Sequence, residues 1–179
     1  MAAMRDHPEG IRSVIIDSAF PLDVDFYASI VPNADRALSK LFDACEASTP
    51  CNRAYPDLES RFYAVAARLE ESPGQATVVN PRTGQTHDVV ITGDRFVGTV
   101  FDALYVKDFI PLLPELIDDA ESSEFRRLTF ILGVILAQLD FSNTGMQFSV
   151  QCAEELPFTS RGEVQSAAGL FPDLQPYFE

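Results

Sequence analysis

Apolar side chains recur every three or four residues in three stretches of this chain, and no other sequence feature restricts the fold as strongly. Residues 33–47 and 57–69 each carry one apolar stripe, and residues 125–139 carry a broader one. Because such a stripe is stable only against other apolar surface, the spacing predicts three amphipathic helices around a common core. The broadest stripe predicts that the helix at 125–139 is the central one.

Shorter elements are indicated between and after these helices. A helix is predicted after Gly93, another near Asp108 and a last one over residues 161–170, whereas residues 146–152 alternate only in part between apolar and polar side chains. Two β-branched runs, 77–79 and 88–91, flank the turn-forming sequence NPRTGQ and predict a β-hairpin. The predicted fold is therefore α+β, mainly α-helical, with one hairpin.

Residues 11–17 have a different character. This run, IRSVIID, follows what looks like a helix end over residues 1–10, and its apolar centre does not alternate, which is typical of a parallel strand buried on both faces. No second strand–helix–strand unit follows to supply its sheet. We therefore expect the strand to pair with the hairpin, to pair with residues 11–16 of another copy in a homo-oligomer, or to lie displaced on the helical part.

The charge balance excludes several classes of partner. The chain has 13 Lys and Arg against 27 Asp and Glu, a net charge of -14, which repels nucleic-acid backbones and anionic membrane surfaces. The longest apolar run, residues 130–137, is too short to span a bilayer. The acidic residues fit an ordinary solvated surface, and alternatively they could attract a cationic ligand such as the amino terminus of a peptide.

Candidate catalytic residues are few. The only histidines, His7 and His87, lie at a helix end and in a polar hairpin strand, where neither is spaced to assist a Ser or Cys nucleophile. Ser18 follows the predicted strand but lacks flanking glycines, and no Gly-x-Ser-x-Gly nucleophile elbow occurs. No His lies near Cys45 or Cys51, so a metal site is disfavoured, and no cofactor is predicted. The spacing of these two cysteines would permit a disulfide if the first helix turns back at its end.

Several short motifs, taken in order, resemble one enzyme family. The run RDHPEGIRSVIIDS at 5–18 is similar to the segment after the nucleophile elbow in tripeptidyl-aminopeptidase and proline-iminopeptidase-like α/β-hydrolases. LFDAC with the later Cys51 and YPDL, the NPRTG turn, TGD at 92–94, and VQCAEE at 150–155 resemble the lid inserted into that family's fold. Each motif alone is weak, and the ordered set covers nearly the whole chain.

The resemblance implies a fragment of a larger enzyme. Residues 1–20 would be a helix end and one strand left from the hydrolase core, and residues 21–179 a helical lid. The serine would precede Met1, and the acid and His would follow Glu179, so this chain alone is expected to be non-catalytic. The implied function is a substrate-covering, specificity-determining lid of a serine hydrolase that acts on peptide amino termini. The alternatives are the lid of an esterase and a self-contained acidic helical binding module.

The same resemblance suggests roles for four residues. Glu154, and as second choice Glu155, would bind the ammonium group of a peptide substrate, although either acid could equally be a surface or helix-cap residue. A secreted or cell-envelope parent, whose signal peptide is not in this chain, would favour a Cys45–Cys51 disulfide over a pair of buried thiols. Cys152 resembles a family cysteine whose partner lies beyond this chain, and is expected here as a free thiol.

Overall fold

The computed structural model describes residues 2–17, 24–139 and 143–178, which form a mainly helical structure with a two-stranded antiparallel sheet. Ser18 lies outside the described residues. In chain order the elements are α1 Ala2–Asp6, α2 Phe26–Ala47, α3 Thr49–Ala54, α4 Leu58–Glu71, β1 Gly74–Val79, β2 Thr86–Ile91, α5 Gly93–Ala103, α6 Leu113–Glu121, α7 Arg126–Leu139, α8 Thr144–Glu154 and α9 Arg161–Ala168.

The core is centred on α4, which packs against α2, α5 and α6. Phe62, at its midpoint, is fully buried, with its ring centroid 5.4 Å from that of Phe42 on α2 and 5.3 Å from that of Phe96 on α5. The predicted central helix, α7, lies instead at the side of the core, where Leu128 and Ile131 are buried and Phe130 is 58% exposed. A broad apolar stripe therefore did not identify the innermost helix.

The first long helix begins seven residues earlier than its stripe indicated. Asp25 is its N-cap, and the Asp25 carboxylate accepts a hydrogen bond of 2.9 Å from the main-chain N–H of Ala28. Pro32 lies inside the helix, although proline removes one helical hydrogen bond and commonly marks a boundary. The helix tolerates it since burial of the following stripe stabilises the element.

The hairpin is formed as predicted. Val78 pairs with His87 and Thr77 with Asp88 across the ladder, and the turn is closed by a hydrogen bond of 2.8 Å from the Asn80 N–H to the Gln85 carbonyl. The Asn80 side-chain oxygen accepts from the main-chain N–H groups of Arg82 and Thr83, which fixes the turn. One face of the hairpin packs on the core through Val78 and Ile91.

The predicted strand at 11–17 is wrong for the described structure. The segment has no regular secondary structure, and its side chains point into solvent, with Ile15 95% exposed. A parallel strand is stable only beside neighbouring strands, and the sheet of the described residues contains β1 and β2 alone. Pairing with the hairpin is thereby excluded in this structure, whereas pairing with another copy stays a prediction.

Cys45 and Cys51 form the predicted disulfide. The two Cα atoms are 5.1 Å apart because α2 ends at Ala47 and the chain turns directly into α3. Cys45 is buried in the core, and Cys152 is a free, exposed cysteine, also as predicted. A structural disulfide is compatible with an extracellular or other oxidising compartment.

Reduction of the Cys45–Cys51 disulfide is expected to lower the free energy of unfolding by about 2 kcal/mol, because the closed loop is short. Urea denaturation of the oxidised and reduced protein, followed by circular dichroism, measures this change. Cys152→Ser is the control and should leave the free energy unchanged, since this side chain is exposed. Alkylation of three thiols rather than one in the unreduced, denatured protein would contradict the assignment.

Candidate functional site

Glu154 and Glu155, the predicted amine-binding residues, lie at the end of α8. Glu154 is the last residue of the helix and is exposed, and Glu155 is partly exposed at the junction with a short 3₁₀ turn, Leu156–Phe158. The structure brings no other described carboxylate or hydroxyl into hydrogen-bond contact with either side chain. Whether they bind an amine stays a prediction, because the desolvation that would strengthen such a contact requires a surface to cover them.

The helix that carries Glu154 has no buried residue, and its main packing partner in the described chain is the 3₁₀ turn that follows it. The sequence did not predict this helix, because apolar and polar side chains alternate only in part over residues 146–152. Its Asn143 N-cap accepts a hydrogen bond from the Met146 N–H, which fixes its start. Large apolar side chains are nevertheless exposed to solvent along α8 and the 3₁₀ turn that follows it: Met146, Phe148, Val150, Leu156 and Phe158. We call residues 143–158 the bare apolar segment.

A cleft of about 300 Å³ opens beside the disulfide, and sequence reasoning did not find it. Phe42 and Leu58 form part of its apolar lining, and Tyr55 and Asn52 contribute polar groups. The remaining side chains are mainly carboxylates: Asp43, Glu46, Asp57 and Glu59. Burial first, and then the charges of Glu115 and Asp118, raise the pKa of Tyr55, so its phenol stays protonated at neutral pH. The cleft can therefore donate a hydrogen bond and attract a cation.

The carboxylates on α6 are not the freely solvated groups that their sequence suggests. Arg61 on α4 pairs with Asp118 and Glu121, and Arg127 on α7 pairs with Asp119 and Glu115. These pairs tie α6 to its two neighbours, α4 and α7. The i, i+3 and i, i+4 spacing of the four acids was the signal that could have indicated a single charged face.

The histidines do not assemble a catalytic site. His7 follows α1 and His87 lies in β2, and both are exposed. Within residues 2–17, 24–139 and 143–178, no three His, Cys, Asp or Glu side chains are grouped so that they could hold a metal ion. No helix among the same residues is long and apolar enough to cross a bilayer.

Comparisons with known proteins give no assignment: no family model, no curated protein and no solved structure matches this chain.

Proposed function

We propose that this chain is the lid of a secreted serine hydrolase that acts on peptide amino termini, and that it is inactive on its own. The observation that carries the proposal is the contrast between a well-packed helical core and two exposed apolar segments that the other described residues do not cover. These are residues 11–16 and the bare apolar segment, 143–158.

Both segments expose apolar side chains to water, which is energetically unfavourable. An isolated helix of 11 residues is marginal in water, and α8 buries no side chain that would stabilise it. The β-branched side chains of residues 11–16 are exposed as well, from 41% at Ile11 to 95% at Ile15. Contiguous apolar surface of this kind marks a region that another protein body covers. A hydrolase body that lies against both segments would supply that cover.

The helical core is suited to act as a rigid cover. The Cys45–Cys51 disulfide, the ion pairs of Arg61 and Arg127, and the buried aromatic cluster fix the helices relative to one another. A lid of this type excludes water from an active site and shapes one wall of the substrate pocket. Glu154, at the end of α8, would become desolvated when a hydrolase body covers this helix, and could then bind a peptide ammonium group strongly.

A second candidate function is supported by the cleft beside the disulfide. Its carboxylates and the Tyr55 hydroxyl face a space of about 300 Å³, which is at the lower end of the size of small-ligand pockets. A self-contained acidic module could bind a cationic ligand there. The two functions differ in one requirement, because only the lid needs a catalytic body.

The lid proposal is tested on the intact product of the gene. Its reading frame should encode a Gly-x-Ser-x-Gly elbow before this chain and an acid and a His after it. The intact protein should hydrolyse tripeptide p-nitroanilides, and this chain alone should not. Glu154→Gln in the intact protein should raise KM for substrates with a free amino terminus by about 10-fold or more, since a hydrogen bond to a charged group contributes about 1.5–3 kcal/mol.

Two controls separate amine binding from general damage. Glu154→Gln should leave KM for N-acetylated substrates unchanged. Glu71→Gln replaces an exposed acid on α4 and should leave KM unchanged for both the free-amine and the N-acetylated substrates. A reading frame without the serine elbow would refute the lid proposal. Turnover by the isolated chain that persists after treatment with serine-directed inhibitors would refute its predicted inactivity.

A further inference from the structure

A second groove lies between β1 and the first turns of α7. Its volume is about 310 Å³, and most of its lining is apolar. The hairpin contributes Thr77, Val79 and Pro81, and α7 contributes Arg126, Thr129 and Phe130. The exposed ring of Phe130 and the exposed side chain of Val79 thus line one space instead of packing on each other.

The main chain of β1 presents hydrogen-bonding groups on this side. The closing bond from the Asn80 N–H to the Gln85 carbonyl sets the alternation of the ladder, so Val78 and Ala76 bond to β2. Thr77, between them, directs its own N–H and C=O away from β2, toward the groove. Val79 is the next residue whose main-chain groups point away from β2. Its carbonyl oxygen faces Gly133 on α7, and a Cβ added to Gly133 would lie 2.4 Å from this oxygen, so α7 covers the edge here. The accessible edge is therefore short and is centred on Thr77.

The charge of the groove is opposite to that of the chain. Arg126 is its one charged lining residue, and it has no ion-pair partner among the residues that the structure describes, whereas Arg127 beside it pairs with two carboxylates. In a chain with a net charge of -14, an exposed, unpaired guanidinium next to apolar surface favours a ligand that brings its own carboxylate.

We infer that this groove binds the carboxyl-terminal end of an extended peptide. The peptide main chain adds to the edge of β1 at Thr77, an apolar side chain near its end packs against Phe130, and its terminal carboxylate pairs with Arg126. Strand addition with a pocket for one side chain is a common mode of peptide recognition. The short edge and the small volume fit a chain end of two or three residues rather than an internal segment. This inference does not depend on the lid proposal.

The test measures binding of fluorescein-labelled pentapeptides that end in Val, Ile, Leu or Phe, by fluorescence anisotropy. At least one peptide with a free carboxylate should bind with saturation below 1 mM, and its amide should bind at least about 10-fold more weakly. Arg126→Gln should weaken binding of the acid by a similar factor and abolish the difference between acid and amide. Phe130→Ala should weaken both forms.

A pair of proline variants tests the strand-edge contact. Thr77→Pro removes the N–H that faces the groove, and Asp88→Pro removes the outward N–H of the opposite edge. Both substitutions remove the same hydrogen bond between the Thr77 hydroxyl and Asp88. Only Thr77→Pro should abolish binding. Hydrogen exchange of the wild-type protein should show the Thr77 amide, and not that of Asp88, protected by the peptide.

The inference fails if none of the four acids saturates below 1 mM, if acid and amide bind equally, or if Arg126→Gln binds like the wild type. Circular dichroism checks that each variant is folded. If Thr77→Pro is unfolded, hydrogen exchange at the Thr77 amide of the wild-type protein tests the strand-edge contact instead, and an amide that the peptide does not protect would refute it.

Discussion

Replacement of Phe62 by alanine is expected to lower the free energy of unfolding by about 3–5 kcal/mol. Phe62 is fully buried at the midpoint of α4 and contacts the rings of Phe42, Phe96 and Tyr63. Removal of its ring loses the favourable free energy of transferring a large apolar side chain from water, and it leaves a cavity among three helices. Domains of this size are stable by only about 5–15 kcal/mol, so the variant will be close to unfolding. Urea denaturation measures the change as a lower midpoint at constant slope.

Phe130→Ala is the matched control, because it deletes the same ring from an exposed position on α7. Its loss should be smaller, about 0.5–1.5 kcal/mol, which is the contribution of its edge-to-face contact with Phe109 at a centroid distance of 6.3 Å. Equal losses for the two variants would contradict the assignment of the core to the α2–α4–α5 contact.

Gly133→Ala is expected to lower the free energy of unfolding by about 1–3 kcal/mol, although alanine favours a helix more than glycine does. Gly133 lies where α7 crosses the end of β1, and a Cβ there would stand 2.4 Å from the Val79 carbonyl oxygen and 3.4 Å from the Val78 side chain. Because the obstacle is main chain, the helix and the hairpin must move apart. Thermal and urea denaturation measure the loss.

Gly98→Ala supplies the comparison within the same fold. Gly98 lies inside α5, and nothing stands within 4 Å of a Cβ added there. The substitution should therefore raise the free energy of unfolding by about 0.5–1 kcal/mol through helix propensity alone. A Gly133→Ala protein that is stabilised to the same extent would show that α7 and β1 are not closely packed.

Local patterns predicted most of the elements correctly. The helices at 33–47, 57–69 and 125–139, the hairpin around NPRTGQ and the last helix follow from periodicity and turn chemistry, which depend on neighbours in sequence. Residues 11–17 show the limit of such patterns. Their composition is that of a buried strand, but a strand exists only where other strands bond to it, and the described structure provides none.

The candidate sites were less predictable than the elements. The separation of six residues between Cys45 and Cys51 permitted a disulfide, and the resemblance to a secreted family favoured it over two thiols. The cleft beside it combines side chains of α2, α3 and α4, and the peptide groove combines β1 with α7, almost 50 residues further along the chain. No pattern within one element identifies either space, because each exists only after the elements have packed.

By itself, the sequence determined the helical class, the hairpin and the strongly acidic composition, because these depend on side-chain spacing and composition. The choice of a Cys45–Cys51 disulfide and a free Cys152 came from the family resemblance. The tertiary structure decided that α4 is central, that the acids of α6 are held by Arg61 and Arg127, and that Arg126 alone is left to face a groove. The physical reason is that burial and charge pairing are set by contacts between residues distant in sequence, and such contacts are fixed only when the helices pack.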